Sequence, residues 1–227
     1  MLEDLAWLGF EADQGPVRQS ERGAIYEEAL ELLRRKGLVY ACDCTRAEIA
    51  AAGAGPTADD DTETARRVAG AVQPDLELRY PGTCRERGLA AGRGIGLRVR
   101  LEPSVERFTD LRLGSQEQRP CEQCGDLLAR DRDGNWTYQF AATVDDYVQG
   151  VTLVIRGVDL LASTGRQIQL ARLLGRDQPP AFLHHPLIMK SPGQKLSKSD
   201  GDTGIRELRA AGWAPADVIH RAMSLVE

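Results

Sequence analysis

Hydrophobic residues recur with two different periods along this 227-residue chain, and each period predicts one type of element. Apolar positions three and four residues apart predict amphipathic helices, whereas alternation and β-branched runs predict strands. The predicted helices cover residues 2–8, 21–37, 163–175 and 203–211, with one more beginning near Pro215. The predicted strands cover residues 38–44, 94–102, 135–146 and 150–157, with a further apolar run at 182–189. The alternation of strand and helix between residues 135 and 190 predicts an α/β fold with a parallel sheet.

Two segments stand out from this pattern. Residues 94–102 alternate apolar side chains with arginine, which predicts a strand with one face in water. Residues 53–74 are rich in Ala, Gly, Thr and Asp, which predicts a solvated, loosely ordered insertion.

The composition is that of an ordinary globular protein, with 42% hydrophobic and 28% charged residues. No apolar run reaches transmembrane length, so we expect no membrane partner. Glu3 and Asp4 stand where a secretory signal would be basic, which predicts a cytoplasmic protein. The net charge of -5 gives no indication of general nucleic-acid binding, although a local basic face would matter more than the total.

Lysine is rare in this chain, and half of its lysines fall in one short polar stretch. Lys195 and Lys198 flank Leu196 and Ser197 among Gly, Ser and Asp residues. Ammonium groups on flexible stems can follow the changing charge of a phosphate chain, and serine adds a hydroxyl donor. The stretch therefore indicates a phosphate-handling loop, with a solvated surface turn as the alternative.

The stretch 195–199, KLSKS, resembles the second signature of the class I aminoacyl-tRNA synthetases. Other segments resemble the glutamyl-tRNA synthetase group, and these are residues 2–10, 38–49, 80–84, 134–168 and 208–215. The similarity is greatest to the shortened paralogues in this group, the glutamyl-Q tRNA(Asp) synthetases, because Gln149 stands before Gly150.

The resemblance implies a Rossmann-like class I synthetase catalytic domain that carries a small zinc-knuckle insertion. It implies ATP-dependent activation of glutamate, with Mg²⁺ accompanying ATP, and transfer to queuosine in the anticodon stem-loop of tRNA(Asp). Two alternatives stay open: a fragment of a glutamyl-tRNA synthetase that charges tRNA(Glu), and a non-catalytic RNA- or nucleotide-binding relative. We expect a monomer.

The resemblance also assigns roles to individual residues. Tyr138 and Arg156 match positions that bind glutamate in the family. Lys195 and Lys198 match the catalytic lysines, which bind ATP together with Ser197. The pair His184 and His185 is expected to end a strand rather than to act in catalysis.

Five cysteines without a secretory signal indicate metal ligation or plain thiols rather than disulfides. The resemblance implies one structural Zn²⁺ ion held by Cys42, Cys44, Tyr80 and Cys84. An all-sulfur site that joins Cys42 and Cys44 to Cys121 and Cys124 is the rival assignment, and no metal is the third.

Five arginines around the predicted strand 94–102 would contact RNA phosphates or form a solvated basic face. They are Arg85, Arg87, Arg93, Arg98 and Arg100. We hold the two interpretations equal.

The resemblance divides the chain into four segments. Residues 1–38 are a remnant of the catalytic domain, 39–100 the zinc-binding insertion, 101–202 the catalytic domain with its lysine loop, and 203–227 the start of a helical region that contacts the tRNA stem. The family's first signature, a His-containing stretch after the first strand, has no counterpart in this N-terminally truncated domain. An internal start site, a fragment or a natural truncation would each explain this. We expect little adenylation by residues 1–227 and exposed apolar surface on a strand beside the missing one.

Overall fold

A computed structural model describes residues 1–53, 78–191, 194–195 and 203–224 of the chain. The chain divides into two units, one formed by residues 19–184 and the other by residues 1–18 together with 185–227. Apart from Gly53 itself, the predicted insertion at 53–74 lies outside the described residues.

The described residues contain helices and strands in alternation. Helices α1 to α8 are Leu2–Trp7, Gly23–Arg35, Arg46–Gly53, Pro120–Gln123, Tyr138–Val148, Thr164–Leu173, Ile205–Ala210 and Pro215–Ser224. Strands β1 to β9 are Val39–Cys42, Gly96–Val99, Glu106–Asp110, Gly114–Gln118, Leu127–Arg130, Leu153–Gly157, Ala181–His185, Met189–Ser191 and Gln194–Lys195. Short 3-10 helices cover Gln19–Glu21 and Val158–Ser163.

The core of the larger unit lies between two helices and an antiparallel sheet. The sheet has the order β1-β2-β5. Helix α2 contributes Tyr26, Leu30 and Leu33, and α5 contributes Phe140 and Val144, all of them buried in one apolar cluster. These positions are three and four residues apart, which places them on one face of each helix.

A second sheet has the order β4-β3-β7-β6 and carries the site described below. Strand β4 runs antiparallel to β3, whereas β7 runs parallel to β3 with Asp110 opposite Phe182. The α/β class is confirmed, but this sheet is mixed rather than wholly parallel. Strand β6 lies at its edge among the described residues, with Leu153 and Ile155 exposed.

The predicted strand over residues 135–146 is wrong, because the chain forms helix α5 there. Aromatic and β-branched residues suggested a strand. The buried residues Phe140, Ala141 and Val144, however, recur at helical spacing and face the core. Tertiary packing of this apolar face outweighs the local β preference of the sequence.

The predicted water-exposed face of the strand at 94–102 is also wrong. Strand β2 is buried at every position, and Arg98 is only 6% exposed. Its guanidinium lies over the Tyr80 ring at 3.7 Å, and its Nη1 donates to the carbonyl oxygen of Asp126 at 2.9 Å. Burial is possible because partners replace the water that the charge loses.

The smaller unit contains α1, the hairpin β8–β9, α7 and α8. Gly9 follows the C-terminal end of α1 and has a positive φ of 83°, as expected for a glycine after a helix. The Arg209 guanidinium of α7 lies 6.0 Å from the centre of the Trp7 ring of α1. In the part of the chain that the structure describes, every helix is too short or too polar to cross a membrane.

Gly125 provides a stability test, because it closes the turn between α4 and β5 directly against Tyr80. Its φ is 68°, and a Cβ atom there would lie 2.1 Å from the backbone oxygen of Tyr80. Gly114 has a similar φ of 74° with nothing within 4 Å of its Cβ position. We expect Gly114→Ala to lower the free energy of unfolding by about 1–2 kcal/mol, from left-handed strain alone.

Gly125→Ala should lower the free energy of unfolding by at least about 2 kcal/mol more, since backbone must also move away from the new methyl group. Urea denaturation of the two variants measures the difference. Equal losses for both variants would show that Tyr80 is not held against this turn.

Candidate functional site

Arg156 lies near the end of β6 and is the centre of a buried polar cluster. Its side chain points inward and is 8% exposed. Its Nε donates to Nε2 of His184 at 3.0 Å, and its Nη2 donates to the Thr164 hydroxyl at 2.7 Å. Its Nη1 donates to the side-chain oxygen of Gln167. The three hydrogen-bond acceptors come from the neighbouring strand β7 and from helix α6, and they fix the plane of the guanidinium.

His184 and Asp110 form a second layer behind Arg156. His184 is 0% exposed and Asp110 is 1% exposed. Nδ1 of His184 lies 2.6 Å from a carboxylate oxygen of Asp110, which also accepts the backbone N–H of His184 at 3.0 Å. The parallel pairing of β3 with β7 brings these residues together across 74 positions of sequence.

Tyr138 lies at the start of α5 and interacts with Arg156 from the solvent side. Tyr138 is 52% exposed. Burial lowers the pKa of the Arg156 guanidinium, and interactions with Tyr138, Asp146 and Asp159 oppose this shift. An arginine stays charged near neutral pH even with a lowered pKa. The structure therefore brings together the two residues that the resemblance assigned to glutamate.

A narrow cleft of about 20 Å³ lies near this cluster. Its walls include Thr143 and Asp146 of α5, Gln167 of α6 and Phe182 of β7. Burial raises the pKa of the Asp146 carboxyl, although the charges of Arg156 and Arg176 oppose the shift.

A separate cluster of thiols lies at the end of β1. The sulfur atoms of Cys42, Cys44 and Cys84 all lie within 4.8 Å of one another. The Tyr80 hydroxyl is 3.4 Å from the sulfur of Cys42 and accepts the backbone N–H of Cys84 at 2.8 Å. Three thiols and one phenol form a four-donor set, which fits the number of ligands in a closed tetrahedral zinc site.

Arginines surround the thiol cluster. Nε of Arg98 donates to the Cys42 sulfur at 3.3 Å, and Nη1 of Arg87 donates to the Cys84 sulfur at 3.3 Å. Burial by itself would raise the pKa of the Cys42 thiol, but hydrogen bonds with Tyr80 and Arg98 outweigh burial and lower it. The guanidinium groups would also offset the negative charge that several thiolates bring to one metal ion.

The rival all-cysteine assignment is not assembled among the described residues. Cys121 donates to the backbone oxygen of Leu101 at 3.0 Å, and neither Cys121 nor Cys124 belongs to a group with converging ligand atoms. Within the described ranges, the one group of converging ligand atoms is that of Cys42, Cys44 and Cys84.

Most of the arginines considered for RNA contact have protein partners. Arg85 pairs with the buried Asp126, Arg87 with Asp43, and Arg100 with Glu86. Arg98 is buried, so the prediction that it faces solvent or RNA is wrong. Arg93 is exposed. An RNA interface through these residues therefore stays a prediction for the exposed Arg93 and for the surface ion pairs.

The lysine loop lies mostly outside the described residues. Lys195 belongs to β9, where its backbone pairs with Met189. Ser197 and Lys198 lie outside the described residues. The ATP-binding roles of these three residues, and the division of the chain into four segments, stay predictions.

Sequence reasoning missed the residues that hold Arg156 in place. His184 was predicted to end a strand, and it does lie at the end of β7, but its contacts with Asp110 and Arg156 were not foreseen. The usable signal was a histidine within an apolar run, in a chain that has three histidines. Asp110 gave no such signal, because its partner lies far away in sequence.

Comparison with known proteins gives a consistent set of relatives. The family described as tRNA synthetases class I (E and Q), catalytic domain, matches residues 1–224. A glutamyl-Q tRNA(Asp) synthetase from Bordetella bronchiseptica is 46% identical over 203 residues, which cover 88% of this chain and 59% of the relative. Another from Nitratidesulfovibrio vulgaris is 40% identical over 235 residues, which cover 96% of this chain and 67% of that protein.

Solved structures agree with this assignment. The crystal structure of a glutamate-tRNA synthetase from Elizabethkingia anophelis superimposes with a TM-score of 0.60 and 28% identity. The match covers 88% of this chain and 42% of that chain. This chain therefore spans 59% of the length of the Bordetella relative and a smaller share of the solved enzyme.

Proposed function

Since the chain belongs to the family of class I tRNA synthetases for glutamate and glutamine, we propose that it acts in the ATP-dependent activation of glutamate. The observation that carries the proposal is the hydrogen bonding of the buried Arg156. Its acceptors among the described residues, His184, Gln167 and Thr164, are side chains without a negative charge. Among the described residues no carboxylate accepts a hydrogen bond from Arg156, and Asp146 and Asp159 act on its charge only through space, so an anionic ligand would complement it.

The donor geometry supports a carboxylate as the ligand. A guanidinium has five N–H donors, and His184, Gln167 and Thr164 take one each. Two donors remain, one on each terminal nitrogen; Tyr138 takes a hydrogen bond from Arg156, and a carboxylate that binds through both oxygens would displace it. Tyr138 interacts with Arg156 at its exposed side and supplies a phenol hydroxyl for another polar group of the amino acid.

In the proposed reaction, a glutamate carboxylate oxygen attacks the α-phosphorus of ATP. A bond forms between that oxygen and phosphorus, the bond to the bridging oxygen breaks, and pyrophosphate leaves with its electron pair. Lys198 and Lys195 are proposed to stabilise the charge that develops on the phosphate oxygens, with Ser197 as a hydroxyl donor. Mg²⁺ would enter with ATP and reduce the charge of its phosphates.

We further propose that the activated glutamate passes to queuosine in the anticodon of tRNA(Asp). The relatives that are 46% and 40% identical carry the name glutamyl-Q tRNA(Asp) synthetase, and this supports the proposal. Attack of a hydroxyl oxygen of the acceptor on the adenylate carbonyl would form an ester and release AMP. Charging of tRNA(Glu) at its 3′ end remains the rival function.

A structural Zn²⁺ ion at the thiol cluster is a third part of the proposal. Cys42, Cys44, Cys84 and Tyr80 would hold it, and Arg98 would fix the orientation of the Tyr80 ring by stacking on it. The ion would stabilise a segment with few apolar contacts of its own.

The glutamate site predicts a specific loss of affinity in Arg156→Lys. Lysine keeps the positive charge but cannot bind both carboxylate oxygens in one plane. We expect glutamate to bind at least about tenfold more weakly to this variant, since hydrogen bonds to charged groups contribute roughly 1.5–3 kcal/mol. Isothermal titration calorimetry with residues 1–227 measures the change.

Arg107→Lys is the matched control, because Arg107 lies on β3 with a side chain that is 72% exposed. It should bind glutamate as the unchanged protein does. Equal affinity in Arg156→Lys and Arg107→Lys would contradict the assignment of Arg156 to the carboxylate.

The acceptor is tested by transfer of radiolabelled glutamate in the presence of ATP. We expect label, at the low level that little adenylation by residues 1–227 allows, on tRNA(Asp) that contains queuosine and none on tRNA(Asp) that lacks it. Label on tRNA(Glu) that is absent when the RNA has been treated with periodate before the reaction would instead support the rival synthetase function. Glutamate binding without transfer to any tRNA would support a non-catalytic relative.

The metal assignment is tested by the zinc content of two cysteine variants. We expect about one zinc per chain in the unchanged protein, retention in Cys121→Ser and loss in Cys84→Ser, because only Cys84 lies in the converging group. Atomic emission spectrometry measures the metal after dialysis. Loss in Cys121→Ser with retention in Cys84→Ser would establish the rival site, and no zinc in any variant would exclude both.

A further inference from the structure

The buried pair of Asp110 and His184 has a fixed direction of hydrogen bonding. Arg156 Nε carries one hydrogen and can only donate, so Nε2 of His184, 3.0 Å away, must accept. An imidazole nitrogen that accepts a hydrogen bond carries no proton, which places the proton of His184 on Nδ1. Nδ1 in turn lies 2.6 Å from the Asp110 carboxylate, which accepts that proton's hydrogen bond.

Asp110 is itself held in place by the backbone. One of its oxygens accepts the N–H groups of Arg112 and Leu113 at 3.0 and 2.8 Å. The other accepts the N–H of His184 at 3.0 Å in addition to the imidazole. The carboxylate therefore cannot rotate without losing several hydrogen bonds, and it orients the imidazole ring.

We infer that Asp110 and His184 are positioning residues for Arg156. Asp110 fixes the tautomer and the ring orientation of His184. His184 in turn holds the Arg156 guanidinium so that its terminal nitrogens are directed to the ligand. This inference rests on the proposed function of Arg156 as the glutamate-binding residue. A proton on Nε2 of His184 would face the Nε–H of Arg156, and the two donors would repel each other. Loss of this contact would let the guanidinium turn and would weaken the grip on a carboxylate.

Thr164 reinforces the same orientation. Its hydroxyl accepts from Nη2 of Arg156 at 2.7 Å and lies 3.2 Å from Nε2 of His184. The lone pair of Nε2 already accepts from Arg156, and the Thr164 hydroxyl donates to the backbone oxygen of Leu160 at 3.5 Å. His184 and Thr164 together occupy one edge of the guanidinium, and Gln167 takes one hydrogen of Nη1.

The first measurement concerns the tautomer and does not require any glutamate binding. Nitrogen-15 NMR of residues 1–227, in a His185→Gln, His220→Gln background, leaves His184 as the single imidazole. We expect the shifts of a neutral ring with protonated Nδ1 and unprotonated Nε2 at neutral pH. A protonated Nε2, in either the other tautomer or an imidazolium, would overturn the inference.

The second measurement compares two amides of similar polarity at position 184. The side-chain oxygen of His184→Gln can reach the place of Nε2 and accept from Arg156, whereas His184→Asn can replace only Nδ1. We expect His184→Gln to bind glutamate within about threefold of the unchanged protein and His184→Asn to bind about tenfold more weakly. Equal weakening in both variants would overturn the positioning role, because a merely structural role would not distinguish them.

The outcomes separate this inference from the proposed function. If the unchanged protein binds no glutamate, the proposed function fails, and the Nε–H resonance of Arg156 becomes the readout. That resonance should keep its shift in His184→Gln and move in His184→Asn. An unmoved resonance in His184→Asn would show that His184 does not hold the guanidinium. Urea unfolding verifies that both variants are stably folded.

Discussion

The burial of Arg156 is the constraint on which the rest of the site depends. A guanidinium that leaves water must find acceptors, since an unpaired buried charge is strongly destabilising. Strand β7 and helix α6 provide them as His184, Gln167 and Thr164, and each is neutral. The mixed sheet thus holds the guanidinium in a defined plane through hydrogen bonds to neutral side chains. The parallel pairing of β3 and β7 then places Asp110 where it can orient the histidine.

The thiol cluster also contains a buried arginine, Arg98, but its contacts differ from those of Arg156. Arg98 is as buried as Arg156, yet its partners are a sulfur atom, a backbone oxygen and the face of the Tyr80 ring. These contacts join β2 to Tyr80 and Cys42, so Arg98 stabilises the assembly of the cluster. Stacking on an aromatic ring uses the guanidinium face, and donation to sulfur uses its edge. Little of Arg98 is left for a ligand from solution.

The sequence allowed the fold class to be predicted, because local motifs carry it. The segment 134–168 indicated Tyr138 and Arg156, which the structure places close enough to interact, and their role in binding glutamate stays a prediction. The strand predicted at 135–146 failed because local composition favoured β structure, while Phe140 and Val144 needed a helix to reach the core. The exposed face predicted for β2 failed because the partners of Arg98 are distant in sequence. Asp110 and His184, 74 residues apart, could not be paired without the sheet topology.

Arg156 and Arg98 together indicate how a ligand-binding arginine differs from a structural one. Exposure does not separate them, since both are less than 9% exposed. Their partners do, because the hydrogen-bond acceptors of Arg156 are neutral side chains and the half-exposed Tyr138 interacts with it. Arg98 instead lies against a sulfur whose pKa is lowered partly by that arginine, so its charge is already used within the protein. An arginine whose hydrogen bonds go to neutral side-chain acceptors is therefore the one expected to bind an anion.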